Sequence, residues 1–306
     1  MDRFREISTF VAAAESGAFN AAARKLNMSP AAVTRLVNSL EARIGARLFT
    51  RTTRKVALTE AGQLFLSDAT RILEEVEEAE ASAAGAHQSP RGVLRVTGPM
   101  MFGHLYVAPI LRDYLDDYPA VSAFTLFVDR IVHLVEEGLD VAVRIGELPD
   151  SSLSAVRVGE VRRMMVAAPS YLAKHGAPET LDALTEHKII HPLPLNRSPE
   201  WPFVSGGKIQ TVKINPTLTV NTMPASIDAA LAGWGITRVY SYQVARALIE
   251  GTLVEILHKA DEHRVPIHLV HPEGRRAPAK TRAFVSLATK RLRADADLFI
   301  GNTGQT

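Results

Sequence analysis

The residues best suited to chemistry lie between positions 29 and 40, where short polar side chains recur at helical spacing. Ala31, Thr34, Arg35 and Asn38 would share one face of an α-helix. Arg and Asn side chains hydrogen-bond to base edges and phosphates, and an alanine methyl can contact a thymine methyl. The pattern predicts a helix that docks in the DNA major groove, although a merely solvated face would look the same. The opposite face is apolar and can be buried: Val33, Leu36, Val37 and Leu40.

A helix of similar length is predicted before it, with an apolar stripe over residues 19–26, and the connection at residues 27–28 is tight enough for a helix-turn-helix. Asn20 is expected to cap this helix. Ser29 and Pro30 suit the cap and first position of the next helix. All three are predicted to lie at the DNA interface. An earlier helix over residues 2–15, ended by Gly17, would complete a small core that includes Phe4.

Residues 47–59 predict two short strands joined by a hairpin that carries three cations, Arg51, Arg54 and Lys55. Together with Thr52 and Thr53 at the tip, they would form a wing that contacts phosphate or the minor groove. An ordinary solvated hairpin is the alternative. Residues 1–60 hold ten Lys and Arg against five Asp and Glu, so positive charge is concentrated where the helix-turn-helix is predicted.

Residues 60–87 predict a long helix that is acidic, is capped by Thr59 and lacks internal proline. Apolar side chains recur along it at steps of four and three, which is the spacing of a coiled coil. We therefore predict a dimerisation helix; a helix lying on its own domain is the alternative. A dimer would present two recognition helices to a pseudo-palindromic site. The predicted dimer contacts are Phe65, Ala69, Ile72, Val76, Ala79 and Ala83.

A combined pattern of residues runs through the predicted helices and the wing: Phe10, Gly17-Ala18-Phe19, Ala22-Ala23, Leu26, Ser29-Pro30, Leu40-Glu41, Gly45, Leu48-Phe49, Arg51 and Leu58-Thr59-Glu60-Ala61-Gly62. With this pattern the chain resembles the LysR-type transcriptional regulators over residues 1–294. The resemblance implies a winged helix-turn-helix and a long linker helix, followed by a two-lobed α/β effector domain like a periplasmic binding protein. It also implies dimers that pair into tetramers.

After a polar hinge at residues 87–92, strands and helices alternate, which predicts a mainly parallel sheet. Strands are expected at residues 93–97, 123–128, 141–145, 163–168, 236–239 and 266–270. Helices are expected at residues 105–118, 131–137, 171–175, 224–232 and 281–294. Residues 206–207 suggest a hairpin turn.

The resulting domain prediction combines this pattern with the resemblance. It assigns residues 1–59 to the winged helix-turn-helix, 60–90 to the linker helix and hinge, 91–294 to the effector domain and 295–306 to a tail. Within the effector domain, lobe I would comprise residues 91–161 and 267–294, and lobe II residues 162–266. The chain would cross between the lobes near residues 160–162 and 265–266.

A small effector is expected between the lobes, and the resemblance places it against two helix starts. Free N–H groups at a helix start favour an anion such as a carboxylate. However, many relatives carry a hydroxyl residue near Met100 and Met101, so a more hydrophobic effector is also expected. Arg130 could instead pair with a neighbouring acid, and Arg238 could be a solvated strand end. The predicted effector contacts are Pro99, Met100, Met101, Phe102, Arg130, Arg144, Thr222 and Arg238.

Other classes of function find little support. The chain has no cysteine and no nucleophile elbow, and residues 188–190 between His187 and His191 form a predicted strand. We therefore predict no catalysis, no cofactor and no metal. No apolar run suggests a membrane segment, so a cytoplasmic location is expected. RNA polymerase would be a further partner. A ligand-independent repressor and a helix-turn-helix fused to an enzyme are the alternatives.

Overall fold

The computed structural model describes residues 2–51, 56–83, 89–150, 152–193, 200–205, 208–258, 260–261, 263–272 and 277–295. The chain forms two compact units, Met1–Gln88 (the first unit) and Ser89–Thr306 (the second unit). Within the described residues, no helix is both long and apolar enough to cross a bilayer.

The first unit contains four helices and a small two-stranded sheet among its described residues. Asp2 caps α1 by accepting a hydrogen bond from the backbone N–H of Phe4 at 3.0 Å, and Gly17 ends the helix with a φ of 62°. Strands β1 and β2 pair antiparallel. The bounds are α1 Arg3–Ser16, α2 Phe19–Lys25, α3 Pro30–Ile44, β1 Phe49–Arg51, β2 Val56–Leu58 and α4 Glu60–Ala83.

Two local predictions about α1 and α2 were wrong. The N-cap of α2 is Ala18, whose backbone is extended, and Asn20 lies one residue inside the helix with its side chain exposed. Phe4 is 41% exposed because it lies beside the helix cap, away from the apolar stripe. The Ser29 cap of α3 is confirmed: its hydroxyl oxygen accepts from the backbone N–H of Ala32 at 3.2 Å.

The beginning of α4 belongs to the core of the first unit. Ala69 is fully buried there, and the Phe65 ring lies 5.2 Å from that of Phe10. The dimerisation prediction was therefore wrong for Ala69, whereas Phe65 is partly buried in its own unit and its dimer contact stays a prediction. Ile72 is half-exposed and Val76 is partly buried, whereas the side chains of Ala79 and Ala83 lie outside the described residues.

The second unit is built on one long sheet in the order β10-β7-β11-β6-β13-β5-β3-β4, with β12 added to β6. A separate hairpin pairs β8 with β9. The strands are β3 Gly92–Gly98, β4 Val121–Phe127, β5 Val141–Ile145, β6 Ser154–Ala167, β7 Ile189–Pro192, β8 Glu200–Ser205, β9 Lys208–Lys213, β10 Pro216–Val220, β11 Ile236–Tyr240, β12 Val254–Ile256 and β13 Arg264–His271.

The helices of the second unit cover the faces of that sheet. A single continuous helical run begins as α5, becomes π-helical over Gly103–Val107 and continues as α6. A short 3₁₀ helix spans Asp182–Glu186. The bounds are α5 Met100–Phe102, α6 Ala108–Asp117, α7 Pro169–His175, α8 Met223–Leu231, α9 Ser241–Ile249 and α10 Ala279–Ala294.

Two long antiparallel strands, β6 and β13, join the two lobes of this unit. Their register pairs Glu160 with Pro266 and Arg162 with Arg264. Parallel strands β3, β4 and β5 lie on one side, in lobe I, and β7, β10 and β11 lie on the other, in lobe II. Each side has its own buried core. The predicted crossings near residues 160–162 and 265–266 fall within these two strands, and the lobe bounds stay a prediction.

One predicted helix is absent. Residues 131–137 contain only a turn, which ends at Gly138 with a φ of 62°. Val132 and Leu134 are buried in a small cluster beside β5, and a single turn is too short to propagate as a helix. The sequence analysis also omitted α9, β10 and β12. Of the β8–β9 hairpin it predicted only the turn at residues 206–207 and neither strand.

Candidate DNA interface and effector cleft

The outer face of α3 is available for contact. Ala31, Arg35 and Asn38 are exposed, whereas Thr34 is partly buried and donates its hydroxyl hydrogen to the Pro30 carbonyl at 2.9 Å. Thr34 can therefore offer a base its methyl group or its hydroxyl lone pairs. The opposite face is buried as predicted, with Val33, Leu36, Val37 and Leu40 in or beside the core.

A buried carboxylate fixes α3 against α1. Glu6 accepts from the Ser39 hydroxyl at 2.6 Å and from Arg43 Nε at 3.1 Å. The Ser39 hydrogen bond is the largest influence on its pKa; it outweighs burial and, with Arg43, holds the pKa of Glu6 below its ordinary value of 4.5. Glu6 is therefore charged at neutral pH and holds the recognition helix in place.

A second buried carboxylate joins α3 to the wing. Glu41 Oε1 accepts from the backbone N–H groups of Leu48 and Phe49 at 2.8 and 3.1 Å, and Oε2 accepts from Arg47 at 2.9 Å. Burial raises the pKa of Glu41, but the hydrogen bonds and Arg47 outweigh it, so the pKa is lowered. Sequence analysis missed both acids. The available signal was an acid next to the apolar stripe of each helix.

The wing is described only at its base. β1 and β2 pair from Phe49 with Leu58 to Arg51 with Val56. Thr59 accepts from the Gly62 N–H at 2.9 Å and so caps α4 as predicted. The predicted contacts Thr52, Thr53, Arg54 and Lys55, and the side chain of Arg51, lie outside the described residues.

The helix start at Met100 already has an anion from the chain itself. The Asp129 Oδ1 atom accepts from the Met100 backbone N–H at 3.0 Å. A carboxylate effector would meet this negative charge where the sequence predicted a vacant anion site. Pro99 is the N-cap residue, and Met100 is partly exposed.

The arginines predicted to bind an effector are each engaged within the protein. Arg130 forms a two-pronged pair with Glu137 at 2.8 and 3.0 Å, so the neighbouring-acid alternative is correct for this residue. Arg144 Nη2 donates to the Val132 carbonyl at 2.5 Å. These partners lie in the 131–137 turn, which the sequence had predicted as a helix.

Arg238 is neither a cleft residue nor a solvated strand end. It is buried in lobe II, pairs with Asp261 and donates to the Pro202 carbonyl at 2.6 Å. Its guanidinium carbon lies 4.3 Å from the centre of the Phe203 ring. The effector prediction was wrong for Arg238, because its side chain holds the β8–β9 hairpin on lobe II.

Aromatic rings and one methionine join the lobes. The Tyr242 ring of α9 lies 5.3 Å from that of Phe102 and 5.9 Å from that of Tyr106. Met101 contacts the core of lobe I and also the lobe II cluster that contains Met223. Thr222, the N-cap of α8, directly precedes Met223 in the chain. The structure thus brings the two predicted helix starts together, and Tyr106 and Tyr242 are contacts that the sequence analysis missed.

The comparisons with known proteins agree with this architecture. The bacterial regulatory helix-turn-helix family, lysR type, matches residues 4–63, and the LysR substrate binding domain matches residues 87–293. An HTH-type transcriptional regulator of Xanthomonas campestris pv. campestris (strain 8004) is 34% identical over 293 residues, covering 94% of this chain and 85% of that protein.

CrgA is similar to this chain in both sequence and structure. CrgA of Neisseria meningitidis serogroup C (strain 8013) is 33% identical over 292 residues, covering 94% of this chain and 96% of CrgA. The solved structure of CrgA, a LysR-type transcriptional regulator from Neisseria meningitidis, has a TM-score of 0.61 at 30% identity and covers 94% and 98% of the two chains.

The virulence activator AphB of Vibrio cholerae shares the fold. Its full-length structure has a TM-score of 0.60 at 24% identity and covers 95% of this chain and 99% of AphB. The chain therefore belongs to the LysR family: it is a DNA-binding transcriptional regulator with a substrate-binding domain, and it is not an enzyme.

Proposed function

We propose that the outer face of α3 recognises a specific duplex sequence, with Arg35 and Asn38 on base edges and Ala31 beside a thymine methyl. The main support is that Arg35 is exposed at the centre of this face, while Glu6 and Glu41 fix the position of α3. Asn20, Ser29, Pro30 and Thr34 would flank these contacts. The wing residues Arg51, Thr52, Thr53, Arg54 and Lys55 would hold phosphate or the minor groove.

Selection from a random duplex library, followed by gel shift, tests this proposal. We expect Arg35→Ala to weaken binding to the selected site by about 1–3 kcal/mol while leaving random duplex nearly unchanged. The matched control is Arg112→Ala, an exposed arginine of α6. Equal losses of affinity on the selected and the random duplex would mean that Arg35 contacts only the DNA backbone. If the selection enriched no sequence, sequence-specific recognition would be contradicted.

The protein would act as a homo-oligomer whose two recognition helices bind the two halves of a pseudo-palindromic operator. It would do so in the cytoplasm, with RNA polymerase as a further partner. The exposed apolar side chains of α4 support a dimer. Leu64 is 69% exposed and Ile72 is half-exposed, and Val76, Ala79 and Ala83 would extend this surface. Light scattering of Ile72→Glu should show dissociation of the dimer, whether or not dimers pair into tetramers.

We infer that residues 91–294 bind an uncharged or largely apolar effector between the lobes, against Pro99, Met100, Met101, Phe102 and Thr222. The support is chemical: Asp129 holds the helix start, and Arg130 and Arg144 are engaged internally. A thermal-shift comparison of an aromatic alcohol with the matching aromatic carboxylate tests this preference. A larger rise in Tm with the carboxylate would contradict it.

The second candidate is a ligand-independent repressor. The rings of Phe102 and Tyr106 in lobe I contact the Tyr242 ring in lobe II, so side chains of the chain itself form the contact between the lobes. In that case the second unit would serve oligomerisation. A footprint whose length changes with a small molecule would favour the effector-dependent regulator over this alternative.

A further inference from the structure

Among the described residues, the region between β6, β11 and β12 holds three arginines, Arg162, Arg163 and Arg238, and two acids, Glu255 and Asp261. Arg162 is paired through both terminal nitrogens with Glu255, and Arg238 is paired with Asp261. Within the part of the chain that the structure describes, Arg163 has no acid partner. Its Nη2 atom lies 3.5 Å from the Tyr240 hydroxyl.

Arg238 adds an unsatisfied donor to this region. Its side chain is only 8% exposed, and its Nη2 serves both Asp261 and the Pro202 carbonyl. The Nε atom is buried and has no hydrogen-bond partner among the described residues. A buried donor without an acceptor is energetically costly and is rare in folded proteins.

Both arginines line the same hollow, which we call the arginine hollow. The space between its lining atoms is about 190 Å³, part of which is open to solvent. A movement of Arg163 towards a ligand would break its contacts with the Tyr240 ring and hydroxyl, but no ion pair among the described residues. The lining residues are Arg163, Met164, Met165, Phe203, Arg238, Glu255, Leu257, His258 and Asp261.

The electrostatics of the arginine hollow favour an anion. Burial lowers the pKa of Arg238, Asp261 raises it, and the neighbouring charge of Arg163 lowers it again. The last effect means that two like charges lie close enough to repel each other. An oxyanion would neutralise Arg163 and could accept from the unsatisfied Arg238 donor. Glu255 and Asp261 are already paired, so their charge is largely compensated.

We propose that the arginine hollow binds a small oxyanion, such as a phosphate or carboxylate group, through Arg163 and Arg238, at a site separate from the cleft between the lobes. The site would be coupled to that cleft through Tyr240. The Tyr240 ring is stacked on Tyr242 at 6.3 Å and 16°, and Tyr242 contacts Phe102 of lobe I. An anion that moves Arg163 off Tyr240 would thus act on the ring contacts that join the lobes.

Thermal unfolding of the full chain tests this site, with inorganic phosphate or acetate compared with chloride at equal ionic strength. At an anion concentration about twenty times Kd, we expect Tm to rise by roughly 3–7 °C more than in chloride. The rise should be lost in Arg163→Gln and kept in the matched control Arg112→Gln. The phosphate and acetate arms show which oxyanion is preferred.

Two results would overturn the proposal: no rise beyond chloride, or an equal rise in Arg163→Gln. Operator affinity is measured separately, so failure here would leave DNA recognition untouched.

Discussion

Arg35 of the first unit is exposed and forms no ion pair among the described residues, whereas Arg130 and Arg238 of the second unit are each paired with an acid of their own chain. The buried acids of the first unit, Glu6 and Glu41, are hydrogen-bonded within that unit and leave Arg35 unpaired within the part of the chain that the structure describes. The comparison teaches that an exposed arginine identifies a ligand contact more directly when the nearby acids are bound to other groups of the chain.

The largest expected effect comes from removing a buried partner in the second unit. Asp261→Ala would leave the Arg238 guanidinium buried and unpaired, so we expect a loss of about 3–5 kcal/mol in the free energy of unfolding. Both tryptophans, Trp201 and Trp234, lie in this unit, so their fluorescence in a urea titration reports on it alone.

Glu137→Ala is the matched control for that experiment. Its partner Arg130 is exposed, so we expect no measurable loss of stability. Similar losses in Asp261→Ala and Glu137→Ala would contradict the distinction between a buried and an exposed ion pair in this unit.

Removing a buried acid from the first unit should have the next largest effect. Glu41→Ala leaves the Leu48 and Phe49 N–H groups without an acceptor, which should cost roughly 2–4 kcal/mol. Circular dichroism during urea unfolding would measure this loss of stability, and the affinity for the operator should fall as well. Glu41→Gln keeps an acceptor oxygen and loses mainly the Arg47 pair, so a loss as large as that of Glu41→Ala would refute this account.

A smaller effect should appear as pH falls. Because the folded pKa of Glu6 lies below its ordinary value of 4.5, its contribution is fully present above that pH and is lost as pH falls through the folded pKa. The stability gap between the parent chain and Glu6→Gln should therefore be largest near neutrality and should close in acid. Thermal unfolding across this range measures it, and a gap independent of pH would rule out a charged Glu6.

The smallest expected effect concerns the wing. Lys55→Ala should reduce the slope of log affinity against log salt by about one, with little change in sequence preference. Gel shifts at several salt concentrations provide this slope. An unchanged slope would mean that Lys55 does not contact phosphate.

Local features of the sequence were enough to predict much of the framework. The apolar stripe of α3, its Ser29 cap and the Gly17 stop of α1 all depend on residues within one or two helical turns. The strands β3, β5 and β11 followed from the alternation of strands and helices, whereas the two crossings between the lobes were implied by the resemblance to the family. Errors arose where a short segment gained its shape from burial, as at residues 131–137.

The sequence by itself determined the helix-turn-helix, the alternation of strands and helices after residue 92 and the exposed face of α3, because periodicity and caps are local properties. Only the tertiary structure decided which charges remain available. Asp129 meets Met100 across 29 positions of the chain, Asp261 meets Arg238 across 23, and Ser39 meets Glu6 across 33. No short-range pattern specifies such pairings, since they form only when packed elements bring distant side chains within hydrogen-bond reach.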